Sequence, residues 1–281
     1  MRRISEQQFP QAETVLFSPN ADRALLEFPD GSNVIYNFTS ATTVTMESHW
    51  TDFAFSGDGD EIAAKSIGNN PDNRALVVSA SDGSSTRVVR NLGAQSDSVD
   101  ISWSPSGNVL AFSRTGDGTS IFGQHMVYLM DEEGEASGVL AVNGTNLLVS
   151  WAPDGKHFLY SVADALDDYR AHLWYNDARG DREGDTRLEL DIQTTADKCT
   201  FFTATTAYCA VPQSMPAGGG TDPGLLTSTD DLYIVTFPSG KVSRIASPEP
   251  AMQMYQLTVT QDGKTLYFTD EDGKLHTMTL K

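Results

Sequence analysis

Five histidines, two cysteines and several acidic clusters are the residues of this 281-residue chain that could do chemistry. His49, His125, His157, His172 and His276 are scattered without H-x-H or H-E-x-x-H spacing, so most of them read as strand residues rather than as a metal centre. No G-x-S-x-G elbow is present to strain a nucleophilic serine into reach of a base. The run Ser81 to Thr86 departs from the sialidase Asp-box in its spacing and lacks the Trp. Asp58-Gly59-Asp60-Glu61 and Asp270-Glu271-Asp272-Gly273 do not continue to the distal Glu of an EF-hand loop, and hard-cation cages need six or more oxygens, so both read as solvated turns. The expectation is therefore a chain that is not an enzyme, with no catalytic residue, no metal and no cofactor. What remains is a polar patch for recognition. Asp164, Asp167 and Asp168, beside Tyr169 and Arg170, fall in a long connection, and Trp174 is the tryptophan least tied to a repeated position. These six form the candidate binding face.

The elements that must position them repeat. W-S-P-S-G-N-V-L-A-F from Trp103 to Phe112 returns as W-A-P-D-G-K-H-F-L-Y from Trp151 to Tyr160, with weaker copies starting at Phe17, Phe55, Phe201 and Val259. The starts lie 38, 48, 48, 50 and 58 residues apart, the size of a supersecondary unit. Each copy reads as a hairpin: an apolar strand end, a Pro/Asp/Gly turn, then a short strand. Pro presets φ and Gly supplies the positive φ that closes a three-residue loop with a bulge, so the motif needs no ligand to explain it. Trp103 and Trp151 hold the repeated apolar position and are expected to pack between repeats. Period-two apolar runs are frequent and no helical rhythm lasts three turns, which gives an all-β chain.

Two further strands follow each hairpin, making the four antiparallel strands of a propeller blade. The blades are expected at about 14–47, 51–91, 98–143, 147–191, 198–247 and 254–280, all in one domain spanning 1–281. The sixth is a strand short, and Arg2-Arg3-Ile4-Ser5 resembles the outer strand Ser243 to Ser247. Residues 2–6 are therefore expected to complete the last blade and close a six-bladed ring. The connections between second and third strands lengthen at Ile67 to Asn73, Thr115 to Gln124, Ala163 to Ala171 and Gln213 to Asp230, on the face where loops usually bind. The longest, rich in Gly and Pro, reads either as a mobile lid or as a tolerated insertion.

Repeat alignment also places Cys199 and Cys209. If a three-residue turn at Pro105 to Gly107 sets Ile101 opposite Ala111, the equivalent turn at Thr203 to Thr205 sets Phe202 against Thr206 and Cys199 against Cys209. Opposed residues of an antiparallel pair lie within disulfide reach. Such a bridge implies an oxidising compartment. The alternative is a facing pair of reduced, buried thiols.

Lys plus Arg number 19 against 38 Asp plus Glu, a formal charge of −19 and a pI near 4.4. That surface repels nucleic acid and anionic lipid. No apolar run reaches the roughly 20 residues that span a bilayer.

The hairpins and the L-A-F-like strands that follow resemble the TolB-type propeller repeat. Lys198-Cys199 and Tyr208-Cys209-Ala210-Val211-Pro212 also resemble a segment of membrane-anchored propellers from uncultured small-genome bacteria. The resemblance implies binding of protein partners through one face and a central channel, without catalytic residues. The expected protein is a monomeric, extracytoplasmic, non-enzymatic interaction module, periplasmic or at the cell surface, with any export signal or anchor outside this chain. The competing expectation is a carbohydrate or small-ligand binder, or a propeller hydrolase or lyase, whose carboxylates, His or cations gather at the inner strands.

Overall fold

The computed structural model describes residues 6–114, 125–179 and 187–280. Within them, 23 strands form six antiparallel sheets, each a meander whose strands pair in chain order. The fold is a six-bladed β-propeller. Five blades show four strands and the sixth shows three, Tyr255–Val259, Thr265–Thr269 and Leu275–Thr279. The ring-closing strand expected at residues 2–6 falls almost wholly on residues 1–5, which lie outside the described residues, as does the connection 115–124.

Burial explains the strand sequences. Second strands are covered on both faces: Glu61–Ser66, His157–Asp164 and Thr206–Pro212 are buried along almost their whole length. Fourth strands stand at the rim; Thr86–Asn91 is exposed nearly throughout.

Contacts divide the chain into two compact units, one of residues 6–114 and 128–137, the other of 125–127, 138–179 and 187–280. In the first, Leu25 and Ile35 pack with Trp50, Ile62 and Val77, and Leu76 and Val78 pack with Trp103, Leu110 and Met130. In the second, Leu159, Leu173 and Tyr175 pack with Cys209, Val235 and Phe237, and Leu232 packs with Leu266 and Phe268. Trp103 is in the core as expected, its indole N–H donating to Glu132 at 3.2 Å. Trp151 is only half-buried and packs on Phe158 at 5.0 Å between ring centroids.

The repeated motif is a self-satisfied turn of four residues, one longer than the spacing suggests. In the third blade Ser104 N–H donates to Val109 O at 2.8 Å and Gly107 N–H to Ser104 O at 2.9 Å, with Gly107 at φ +79°. The same pair of bonds recurs at Ser56, Ala152 and Thr260, and at Ser18, where Ala21 takes the left-handed position at φ +55°. Asp58, Asp154 and Asp262 accept the N–H two residues on, at 3.1, 2.9 and 3.1 Å. Ser56 and Thr260 hydroxyls donate to the same carboxylates at 2.6 Å, which holds Asp58 and Asp262 below the ordinary carboxylate range. The acidic turns thus spend their oxygens on the backbone.

Cys199 and Cys209 are bonded, with Cα atoms 4.1 Å apart. The register that delivers them differs in detail from expectation: Thr203 pairs with Thr206, and a bulge at Phe202 restores Cys199 opposite Cys209.

Candidate functional site

In the second unit the fourth blade's strands His157–Asp164 and Arg170–Asp177 are joined by a 3-10 turn at Ala165–Asp167. Asp164 caps that turn, its carboxylate accepting Leu166 N–H at 2.8 Å and its carbonyl accepting Tyr169 N–H at 2.8 Å. Asp168 and Tyr169 sit at φ +50° and +56°, in the left-handed region where non-Gly residues are uncommon. The loop therefore turns sharply and throws Leu166 into solvent at 95% exposure, with Tyr169 at 46%.

Behind this tip, Asp167 is a hub. Arg170 Nη1 meets its Oδ1 at 2.9 Å, while His172 Nε2 and Gln193 Nε2 approach its Oδ2 at 3.1 and 2.9 Å. Desolvation pushes the Asp167 carboxyl up, but the hydrogen bonds from Arg170 and His172 outweigh it and hold it below the ordinary range. Arg170 also reaches Asp168 at 3.3 Å and donates to Met215 O at 3.1 Å. His172 Nδ1 faces Glu189 Oε1 at 2.7 Å, so both ring nitrogens meet carboxylates.

Asp164, Asp167, Asp168, Tyr169 and Arg170 lie together in this loop, with Asp164 as its cap. Trp174 does not join them; it stacks on Tyr160 at 6.2 Å, with the Arg187 guanidinium 4.7 Å from its ring. His172, Glu189 and Gln193 are the participants that sequence reasoning missed. His172 is indeed a strand residue. The available signal was its alternation with Arg170 along one strand, which puts both side chains on one face.

The long connection after Thr206–Pro212 is docked against this loop. Gly218 N–H donates to Asp168 O at 2.7 Å, Gly220 N–H to Tyr169 O at 3.0 Å, and Asn146 Nδ2 to Gly220 O at 2.7 Å. A Cβ on Gly220 would lie 2.8 Å from Ala163 Cβ, Ala171 N and Tyr169 O. Only glycine fits there. At the far end Gln253 donates to Leu226 O and Ser228 O, and Leu225 is left 44% exposed.

Between the segment 189–193 and the start of the long connection, 211–215, opens a cleft of about 780 Å³. Leu190, Val211, Pro212 and Met215, all buried, form its floor, and His172, Glu189, Asp191, Gln193, Gln213 and Tyr233 its rim. Beside it Lys198 Nζ makes a buried ion pair with Asp230 at 2.6 Å and lies 4.6 Å from the Tyr255 ring.

The first unit gathers charge on its own inner strands. Lys65, 6% exposed, pairs with Asp52 and donates to Val99 O at 2.8 Å and Ser96 O at 3.3 Å. Arg114 meets Asp100 at 3.1 Å. Burial pushes the Asp100 carboxyl up against the pull of Arg114 and Lys65, and burial together with Asp52 raises Glu27. Among the described residues no group of three or more His, Cys, Asp or Glu side chains is placed to hold a metal ion. No helix of the described residues is long and apolar enough to cross a membrane.

No family model and no curated protein matches the chain. Solved structures do. Oligogalacturonate lyase in complex with manganese superposes with a TM-score of 0.63 at 12% identity, over 98% of this chain and 79% of the lyase. The β-propeller domain of the Trilobed protease from Pyrococcus furiosus, described as having an open velcro topology, gives 0.58 at 13% identity, over 98% of this chain and 85% of that domain. An acylaminoacyl peptidase gives 0.58 at 15% identity over 92% of this chain, which spans only 44% of that enzyme. Identities this low show the shared fold alone. They also correct the expectation that the chain is not an enzyme. Proteins that carry this propeller, the lyase, the peptidase and the tricorn protease, are enzymes.

Proposed function

We propose that this chain is a β-propeller that binds a protein partner outside the cytoplasm through the loop face of its second unit. The observation that carries this reading is Leu166, 95% exposed at the tip of a loop held by backbone and carboxylate hydrogen bonds. Tyr169 and Leu225, at 46% and 44%, add apolar surface in the neighbouring segments. A rigid tip contributes nothing to the core, yet it loses little conformational freedom when a partner covers it. The disulfide supports an oxidising location. The test is capture and cross-linking from the native envelope fraction by the wild-type chain and by Leu166→Asp/Leu225→Asp. Both residues are exposed, so the midpoint of unfolding should hold while specific cross-links disappear. Undiminished cross-linking by the double variant refutes the reading.

A second reading has its own support, the carboxylates Glu27, Asp52 and Asp100 with Lys65 and Arg114 on inner strands of the first unit. Burial raises the carboxyls of Glu27 and Asp100, and carboxyls so raised suit acid chemistry on a bound ligand. Oligogalacturonate and acyl-peptide substrates are the ones to screen, with Asp100→Asn as the control. Turnover that Asp100→Asn abolishes supports this reading, and turnover indifferent to it removes it.

A further inference from the structure

We propose that the cleft of the second unit receives an arginine or lysine side chain presented by that partner; the inference rests on the partner-binding reading and names the chemistry of its contact. The cleft has two features at once. Its floor, Leu190, Val211, Pro212 and Met215, is aliphatic and buried, while its rim carries the carboxylates of Glu189 and Asp191. An apolar stem ending in a cation matches that order of surfaces, because Lys and Arg lay their methylenes on apolar surface and keep the charged head at a polar edge.

Among the described residues no Lys or Arg lines the cleft to offset these carboxylates, and Glu189 meets only His172 there. Arg170, behind it, is taken up by Asp167, Asp168 and the Met215 carbonyl. His172 is taken up by Asp167 and Glu189 through its two ring nitrogens. Glu189 gives only Oε1 to that contact. Asp191 and the Tyr233 hydroxyl make no side-chain hydrogen bond or ion pair among the described residues, and both line the cleft. A guanidinium with five N–H donors in a planar fork can use a free carboxylate oxygen, a second carboxylate and a phenolic oxygen together. The walls are preformed, since the loop carrying Gln213 and Met215 is fastened to the fourth blade through Gly218 and Gly220. The volume of about 780 Å³ leaves room for a flanking residue on either side of the anchor.

The test uses the intact chain, isotopically labelled, and an acetylated, amidated Gly-Arg-Gly peptide. The side-chain amide signals of Gln193 and Gln213 report binding by NMR. Saturable shifts of both are expected, weakened about tenfold or more when citrulline replaces arginine in the peptide, and weakened as NaCl is added. Glu189→Gln/Asp191→Asn, which keeps an acceptor for His172, should likewise lower affinity about tenfold or more. Equal binding of the citrulline peptide, indifference to the double variant, or shifts caused by galactose and not by the peptide would overturn the proposal. Leu166→Asp should leave peptide binding intact. If the peptide fails to bind while Leu166→Asp/Leu225→Asp still abolishes partner cross-links, the cleft inference falls alone. Peptide binding with cross-links untouched by that variant removes the partner reading instead.

Discussion

Reducing the Cys199–Cys209 bridge in the intact protein removes a cross-link while leaving both sulfurs in the core they share with Leu159 and Val235. The comparison of oxidised and reduced chain therefore isolates chain entropy from packing. The bridge spans 10 residues. In the loop-closure picture a closed loop of that size removes ~9 cal/mol/K from the unfolded ensemble, about 2.7 kcal/mol at 25 °C. Because the bridge sits inside one hairpin, its effect should concentrate in the strands Cys199–Thr203 and Thr206–Pro212. Amide exchange is the assay. If those amides exchange by an opening that unfolds the hairpin, their protection should fall by about 100-fold on reduction, that energy expressed as a ratio of populations. Amides of the second blade, in the other unit, should change little. Cys199→Ala/Cys209→Ala should lose more than reduction does, because two buried sulfurs also leave the core. A fall of less than about threefold in the hairpin, or an equal fall in both units, would refute the reasoning, since chain entropy in this picture gives about 100-fold and acts where the loop closes.

Gly220→Ala places a Cβ 2.8 Å from two backbone atoms, so it should cost about 1–3 kcal/mol and speed amide exchange across residues 213–229. Unchanged exchange there would show that the connection is not fastened as described. Lys198→Met leaves the buried Asp230 without its cation and should cost about 3–5 kcal/mol in urea unfolding, part of it recovered in Lys198→Met/Asp230→Asn, which keeps an acceptor for the Met254 N–H. The turn carboxylates give a pH signature. Hydrogen bonds from Ser56 and Thr260 hold the native Asp58 and Asp262 carboxyls below the ordinary value of 3.8. A depressed native value stabilises above the unfolded value and is lost as pH falls through the native one, so the decline belongs below pH 3.8. Asp58→Asn/Asp262→Asn keeps the turn geometry, as Asn20 does in the first blade, and should flatten that part of an acid-unfolding curve.

Much of this architecture is local and was therefore readable. Strands such as Glu61–Ser66 and Thr265–Thr269 are delimited by the turns beside them, and Cys199 meets Cys209 because hairpin register is counted from a turn. Errors followed where local chemistry admits two answers. The four-residue turn differs from a three-residue one with a bulge only in bonds that Ser104 makes to Val109. The candidate face was legible in part. Asp167 and Arg170 are neighbours in sequence, but Gln193 and the carbonyl of Met215 reach them from other connections. Gly218-Gly219-Gly220 reads as slack because the atoms that forbid a side chain at Gly220 belong to Ala163, Tyr169 and Ala171, about fifty residues away.

That glycine contact bears on how the repeats can be inherited. The fifth blade's connection is shaped to the fourth blade's backbone, with Asn146 of the fourth blade holding Gly220 O at 2.7 Å. A duplication or swap that copied the fifth repeat alone would carry a glycine triplet to a neighbour with no recess for it. These two repeats should therefore be transplanted, lost or shuffled as a pair, and a chimera cut between residues 191 and 198 should fail where one cut at the flanks of the pair succeeds.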